Sequence, residues 1–139
     1  MRESSFSRKL TGRLNNWGSC DRIENAVSQG NWDIFVVVEG QANWIETKVI
    51  HNNEIYKERF QLPWATRHHK SGFKNLFLLA AFDEKRFRVY DYPTLIGAPK
   101  SVYKKWTVIN LDGMSELAEI NSRGWDKLRL YLSSKYTRQ

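Results

Sequence analysis

The stretch that decides the fold is Gly30-Asn31-Trp32-Asp33-Ile34-Phe35-Val36-Val37-Val38, the turn Glu39-Gly40-Gln41-Ala42, and then Trp44-Ile45-Glu46-Thr47-Lys48. An apolar run, a turn with a glycine and a second run together predict a β-hairpin. Side chains alternate along a strand, so Glu46 and Lys48 share one face. The hairpin can bring Asp33, at the start of the first strand, close to that face.

Length and composition indicate one folded domain. The 139 residues, 41% of them hydrophobic, suffice for one domain with a real core. We expect a single domain over 1–139, with the core at about 1–92 and a C-terminal appendage over 93–139. The longest apolar run, 76–82, is too short for a membrane span.

The N-terminus and the cysteine count bear on location. The first residues lack the apolar segment of a signal peptide, and a single cysteine, Cys20, makes an intramolecular disulfide impossible. We therefore expect a reducing, cytoplasmic location, which is the host cell cytoplasm if a phage encodes the chain.

The chain is strongly basic. Lysine and arginine number 22 against 15 acidic residues, which gives a net charge of +7. Such an excess favours a polyanionic partner through phosphate contacts and counterion release. A merely soluble basic protein would have the same balance, so charge alone leaves both interpretations open.

The periodicities predict helices and strands in alternation, which indicates an α/β domain with a small mixed central sheet flanked by helices. Apolar residues at helical spacing predict the first helix over 3–17. The predicted elements are helices over 3–17, 60–71 and 122–135, strands over 21–27, 33–38, 43–50, 75–82, 86–91 and 104–111, and loops after 50 and over 92–99.

Asp33, Glu46 and Lys48 form the pattern that carries chemistry. Two carboxylates suit a hard divalent ion such as Mg²⁺ or Mn²⁺, and a nearby ammonium can assist a water or stabilise developing negative charge. Together they suit hydrolysis of a phosphodiester. The ordinary alternatives are an aspartate that caps a turn and a strand carboxylate paired with a lysine. The apolar neighbours of Glu46 weaken the second alternative, because an unexplained buried carboxylate is costly.

In these residues the chain resembles the PD-(D/E)XK nuclease superfamily, and within it the phage Holliday junction resolvases and VRR-type nucleases. The resemblance covers roughly the first two-thirds of the chain. It rests on Arg22-Ile23-Glu24-Asn25, Gly30-Asn31-Trp32-Asp33, Trp44-Ile45-Glu46-Thr47-Lys48 and Gln61-Leu62-Pro63-Trp64. The family usually has proline where this chain has Trp32, a departure that concerns backbone shape more than metal binding.

The resemblance implies a restriction-endonuclease-like core of order α-β-β-β-α-β and a role for each matching residue. Asp33 and Glu46 would be the metal ligands, and Lys48 and Gln61 would be catalytic. A carboxylate from the first helix would complete the site. Glu3 is the candidate because it shares a helical face with Phe6, and Glu24 is the alternative.

A basic cluster ends the second predicted helix at Arg67, His68, His69 and Lys70. Two interpretations explain this cluster equally well. One is a phosphate-binding patch that involves Arg67, His68 and Lys70, and the other is a set of cations that complement the helix dipole. The histidine spacing offers no i, i+4 pair, so a zinc site is not expected.

The expected function is a metal-dependent DNA endonuclease with Mg²⁺ or Mn²⁺ as cofactor, acting on branched DNA as a homodimeric Holliday junction resolvase. The alternatives are a nuclease of the same chemistry that cuts flaps, nicks or restriction sites, and a non-catalytic nucleic-acid-binding module. A basic RNA-binding domain is a further alternative, supported by the short stretch 86–90.

Overall fold

The computed structural model describes residues 2–23, 32–58 and 61–133. The helices are α1 (Glu3–Leu14), α2 (Gln61–Lys70), α3 (Tyr92–Gly97) and α4 (Trp125–Leu132). The strands are β1 (Gly18–Arg22), β2 (Ile34–Val38), β3 (Gln41–Val49), β4 (Glu54–Glu58), β5 (Leu76–Ala81), β6 (Phe87–Asp91), β7 (Lys100–Tyr103), β8 (Trp106–Asn110) and β9 (Ala118–Ile120).

A six-stranded mixed sheet forms the centre of the molecule, in the order β1-β2-β3-β5-β6-β9. The pairing of β3 with β5 is parallel, and the other pairings in this sheet are antiparallel. The connection from β3 to β5 contains β4 and α2, as a parallel crossover requires. The prediction of an α/β fold with a mixed central sheet and flanking helices is confirmed. The order α-β-β-β-α-β holds for α1, β1, β2, β3, α2 and β5, with β4 inserted before α2.

Both faces of the sheet are covered, and β5 shows this most clearly. All six of its residues are buried, and they alternate between two apolar clusters. One cluster packs the sheet against α1 and α4 through Phe6, Leu10 and Trp125, among others. The other packs it against α2, α3 and the second sheet through Trp64, Leu95 and Ile109, among others.

The turn between β2 and β3 is tighter than the sequence suggested. It consists of Glu39 and Gly40, whose φ angles are +50° and +85°. Two consecutive positive φ angles match the right-handed twist of a hairpin. The turn therefore fixes the register in which Asp33 meets β3.

The sequence analysis missed β4, which lies where a polar loop was expected. Asn52 and Asn53 make a turn at positive φ, and β4 then pairs with β8 in a three-stranded sheet of order β4-β8-β7. Asparagine tolerates the left-handed region, so His51-Asn52-Asn53-Glu54 is a turn rather than a long loop.

The segment 93–139 was expected to be an appendage. Its described residues contribute to both sheets and to the helices that cover the central sheet. β9 forms one edge of the central sheet, and α4 buries Trp125, Leu128 and Leu132. The expected loop at 92–99 contains the short helix α3, which begins with an Asp91 side-chain cap on the Thr94 N–H. None of the described helices is long and apolar enough to cross a membrane.

Candidate metal centre

The register of the β2–β3 hairpin places Asp33 opposite Glu46. Ile34 pairs with Ile45 in this antiparallel ladder, so the next pair along the two chains is Asp33 and Glu46. The Thr47 hydroxyl donates a hydrogen bond of 3.2 Å to Asp33 Oδ2, which orients the carboxylate.

Glu3 comes to the same place from α1. This helix buries Phe6, Leu10 and Leu14 against the sheet. Glu3, its first residue, thereby lies beside the open end of the β2–β3 hairpin. Carboxylate oxygens of Glu3, Asp33 and Glu46 lie within 4.8 Å of one another. The three carboxylates thus converge from three different elements, and we call them the carboxylate cluster.

Lys48 contacts this cluster as the shared face of β3 predicts. Its Nζ lies 3.8 Å from Glu3 Oε1, and the side chain is 10% exposed. An ammonium that is shielded from water in this way interacts with nearby charge more strongly than a surface lysine. The structure brings Glu3, Asp33, Glu46 and Lys48 together, while their chemical roles stay predictions.

Lys57, on β4, is a second ammonium at the cluster that the sequence analysis did not identify. Its Nζ lies 3.5 Å from Glu46 Oε2 and 4.5 Å from the centre of the Trp32 ring. The side chain is 0% exposed. A signal was present in the alternation of Ile55 with Tyr56 and Lys57, because a period of two puts Lys57 on the buried face with Ile55.

Burial dominates the electrostatics of the cluster. Burial raises the pKa of Glu46, and the nearby Asp33 carboxylate raises that pKa further. The Lys57 ammonium acts in the opposite direction. Burial likewise raises the pKa of Glu3, against the influence of Lys48. The same desolvation lowers the pKa of Lys57, with Glu46 opposing it. Without another cation, the site therefore resists holding its full negative charge.

The residues present fit a hard divalent cation. All the donors in the cluster are carboxylate oxygens, which Mg²⁺ and Mn²⁺ prefer. Asp33 Oδ1 is buried and finds no hydrogen-bond partner among the described residues. A bound cation would satisfy that atom and relieve the repulsion among the carboxylates.

Trp32 and Gln61 connect the site to α2. Trp32 is fully buried and donates a hydrogen bond of 3.1 Å from Nε1 to the backbone oxygen of Gln61. The Gln61 side-chain oxygen accepts a hydrogen bond from the Glu58 N–H at 3.1 Å. The backbone of Gln61 therefore contacts the residue that directly precedes Asp33. Its side chain accepts a hydrogen bond from the backbone of β4. Glu24, the alternative to Glu3, lies outside the described residues.

The basic cluster lies in the last turn of α2, at the opposite end of the helix from Gln61. Lys70 is nine residues beyond Gln61, which corresponds to about 13 Å along a helix. His68 stacks on Trp64 with a centroid distance of 3.9 Å, and its Nδ1 lies 2.9 Å from the Trp64 carbonyl oxygen. Arg67 and Lys70 are exposed. DNA binding by Arg67, His68 and Lys70 stays a prediction.

Comparison with known proteins gives the fold. No family model matches the chain, and no curated protein matches it either. Among solved structures, it is similar to the Holliday junction resolvase Hjc from Archaeoglobus fulgidus, with a TM-score of 0.56 and 15% identity over 85% of this chain and 93% of that one. It also matches a bacterial homing endonuclease with a TM-score of 0.46 and 16% identity, over 94% of this chain and 88% of that one. The restriction-endonuclease-like core is thereby confirmed as a fold.

Proposed function

We propose that this protein is a metal-dependent endonuclease that hydrolyses phosphodiesters in DNA. The observation that carries the proposal is the carboxylate cluster of Glu3, Asp33 and Glu46, with Lys48 against it. Such a cluster is common on protein surfaces, but Glu46 is only 2% exposed here. A buried carboxylate among other carboxylates is costly unless it binds a cation.

Each residue has a distinct role in this reaction. Glu3, Asp33 and Glu46 would hold Mg²⁺ or Mn²⁺. A divalent ion in this site supplies Lewis-acid stabilisation of the phosphate and a more acidic water. The Lys48 ammonium assists the attacking water or stabilises charge that develops on the phosphate oxygens. Lys57 holds Glu46 in place, and Gln61 hydrogen-bonds water or phosphate.

We further propose that the substrate is branched DNA and that the protein is a structure-selective Holliday junction resolvase. The similarity of the fold to an archaeal resolvase supports this substrate, and the net charge of +7 supports a polyanionic partner. Resolution requires two symmetric cuts, so the active form would be a homodimer with one site in each chain.

The substitution Asp33→Asn tests the proposal. Asparagine is isosteric and keeps an oxygen for the Thr47 hydroxyl, but it cannot supply the anionic ligand. We expect the rate of Mg²⁺-dependent cleavage to fall at least about a hundredfold. Mutation of a residue that only hydrogen-bonds a metal ligand already costs up to about a hundredfold, and Asp33 would be a ligand itself. DNA affinity measured in EDTA should stay unchanged, because the basic surface is intact.

The experiment compares a four-way junction, a flap and a linear duplex of matched sequence, each with Mg²⁺ and with EDTA. Asp112→Asn, at an exposed turn, is the matched control and should cleave normally. Near-normal cutting by Asp33→Asn, or cutting by the wild type in EDTA, would refute the metal mechanism. Equal cleavage of duplex and junction would favour a nuclease with another DNA target.

A further inference from the structure

The β7–β8 hairpin has a tip that combines exposed aromatic and basic side chains. The tip is Tyr103-Lys104-Lys105-Trp106, in which Tyr103 pairs with Trp106 around a two-residue turn. Tyr103 is 62% exposed. Lys104 Nζ lies 5.3 Å from the Tyr103 ring centre, and Lys105 Nζ lies 5.0 Å from that of Trp106. A large exposed aromatic side chain beside a lysine has no role in the core of this fold.

The strand register sets this hairpin tip beside the candidate metal centre. β8 pairs with β4, so Thr107 lies opposite Lys57 and Trp106 lies opposite Glu58. Lys57 enters the carboxylate cluster. Two residues of strand separate Thr107 from Lys105, which is about 7 Å. The hairpin tip therefore ends directly before the residue that lies opposite Lys57.

An apolar groove continues from the hairpin tip to the start of α2. It has a volume of about 590 Å³, and its lining includes Leu62, Pro63, Ile96 and Val102, with Arg67 at the side. Leu62 directly follows Gln61, and Val102 directly precedes Tyr103. The groove therefore lies between the second helix and the β7–β8 hairpin, with the Arg67 cation on its lining.

We infer that the hairpin tip and this groove bind unpaired bases of a DNA strand next to the phosphate that is cut. Tyr103 stacks on a base, Lys104 and Lys105 bind the neighbouring phosphates, and the groove accepts the apolar faces of splayed bases. Aromatic side chains beside basic ones are the usual means of holding unpaired nucleotides. The inference rests on the proposed function, and it adds a surface that binds unpaired nucleotides of the branched substrate.

Charge favours DNA over a second copy of this chain as the occupant. A two-fold interface through the hairpin tip would bring Lys104 and Lys105 of both copies together, and like charges at close range oppose association. A DNA strand supplies the opposite charge and flat apolar bases at once.

The test measures binding in EDTA, so that cleavage does not enter. Fluorescence anisotropy gives the affinity of each variant for a four-way junction, a flap and a linear duplex at several salt concentrations. A 2-aminopurine base at the branch point reports stacking directly. The variants are Tyr103→Ala, Tyr103→Phe and the pair Lys104→Ala/Lys105→Ala. The pair Arg123→Ala/Lys127→Ala removes the same charge from exposed positions at α4 and serves as control.

We expect Tyr103→Ala to weaken binding to junction and flap by about tenfold or more and to leave the affinity for duplex unchanged. Tyr103→Phe should retain both the affinity and the 2-aminopurine signal. The lysine pair should lower the slope of log affinity against log salt by about one to two, whereas the α4 pair should not alter it on branched DNA.

Unchanged affinity and 2-aminopurine signal in Tyr103→Ala would overturn the inference, even if the wild type cleaves DNA. A change in sedimentation mass on tip substitution would overturn it as well, because the tip would then be an interface between copies. If the wild type fails to cleave any substrate with Mg²⁺, the proposed nuclease function is wrong, and the binding data still decide the role of the tip.

Discussion

At the scale of single residues, the pair of Glu46 and Lys57 is the costliest feature of the site. Both side chains are almost fully buried, and their charged atoms lie 3.5 Å apart. Such a pair often stabilises a protein less than apolar residues of the same size would. A cation bound by the carboxylate cluster would be a further partner for Glu46 and would offset the cost of its burial.

Replacing both members of this pair should therefore stabilise the metal-free protein. We expect Glu46→Leu/Lys57→Met to raise the free energy of unfolding in EDTA by about 1–4 kcal/mol, because apolar side chains replace two buried ionisable groups. Urea denaturation measures this difference. The exposed pair of Arg88 and Glu119, at 3.3 Å, offers a control, and Arg88→Met/Glu119→Gln should change stability by no more than about 1 kcal/mol. A loss of stability in the buried double variant would contradict the interpretation.

The raised pKa of Glu46 predicts a specific pH dependence. Above its ordinary value of 4.5, the unfolded chain has released a proton that the folded, metal-free protein still holds. Burial of Glu46 therefore costs stability that grows as pH rises, by up to about 1.4 kcal/mol per pH unit until the raised pKa is reached. The lowered pKa of Lys57 acts in the opposite sense and at higher pH.

Urea denaturation in EDTA between pH 5 and 7 measures this effect as a difference between variants. The stability advantage of Glu46→Gln over the wild type should increase with pH, since glutamine carries no titrating group. Glu119→Gln, on the surface strand β9, is the matched control. A difference for Glu46→Gln that does not change with pH would show that burial does not perturb this carboxyl in solution.

At the scale of elements, the sequence predicted what depends on local pattern and missed what depends on pairing over distance. The hairpin that brings Asp33 to Glu46 follows from an apolar run, a turn and strand alternation, and these are local. β4 pairs with β8, about fifty residues later, and its five residues give a weak signal alone. Lys57 was missed for this reason: alternation within β4 puts it on the same face as Ile55, but that signal counts only once β4 is known to be a strand. The resemblance to a nuclease family pointed to Glu3, which local pattern left open.

Two glycines in neighbouring elements should respond in opposite ways to a methyl group. Gly18 begins β1, and a Cβ there would lie 1.9 Å from the backbone oxygen of Val37 on β2. Gly12 lies in α1, where a Cβ meets nothing within 4 Å. Thermal and urea unfolding should show Gly18→Ala destabilised by about 1–3 kcal/mol through overpacking, and Gly12→Ala stabilised by about 0.5–1 kcal/mol through helix propensity. Equal effects at both sites would contradict the close approach of β1 to β2.

At the scale of the whole molecule, the candidate metal centre connects parts of the chain that are distant in sequence. Glu3 belongs to the first helix, Asp33 to the start of β2, and Glu46 to the middle of β3. Unfolding separates all three, so a cation that needs their joint geometry binds the folded state alone. Binding and folding are then coupled by mass action.

Divalent cations should therefore stabilise the protein in the absence of DNA. At a Mg²⁺ or Mn²⁺ concentration one hundred times the dissociation constant, the free energy of unfolding should rise by about 2.7 kcal/mol, measured as the shift of the urea midpoint relative to EDTA. The shift should grow from pH 6 to pH 8, because the ion binds the ionised form of Glu46, which burial disfavours at lower pH. Asp33→Asn should lose the shift, and Glu84→Gln, an exposed acidic position, should retain it. A shift of equal size in Asp33→Asn would mean that the ion stabilises the protein from another site.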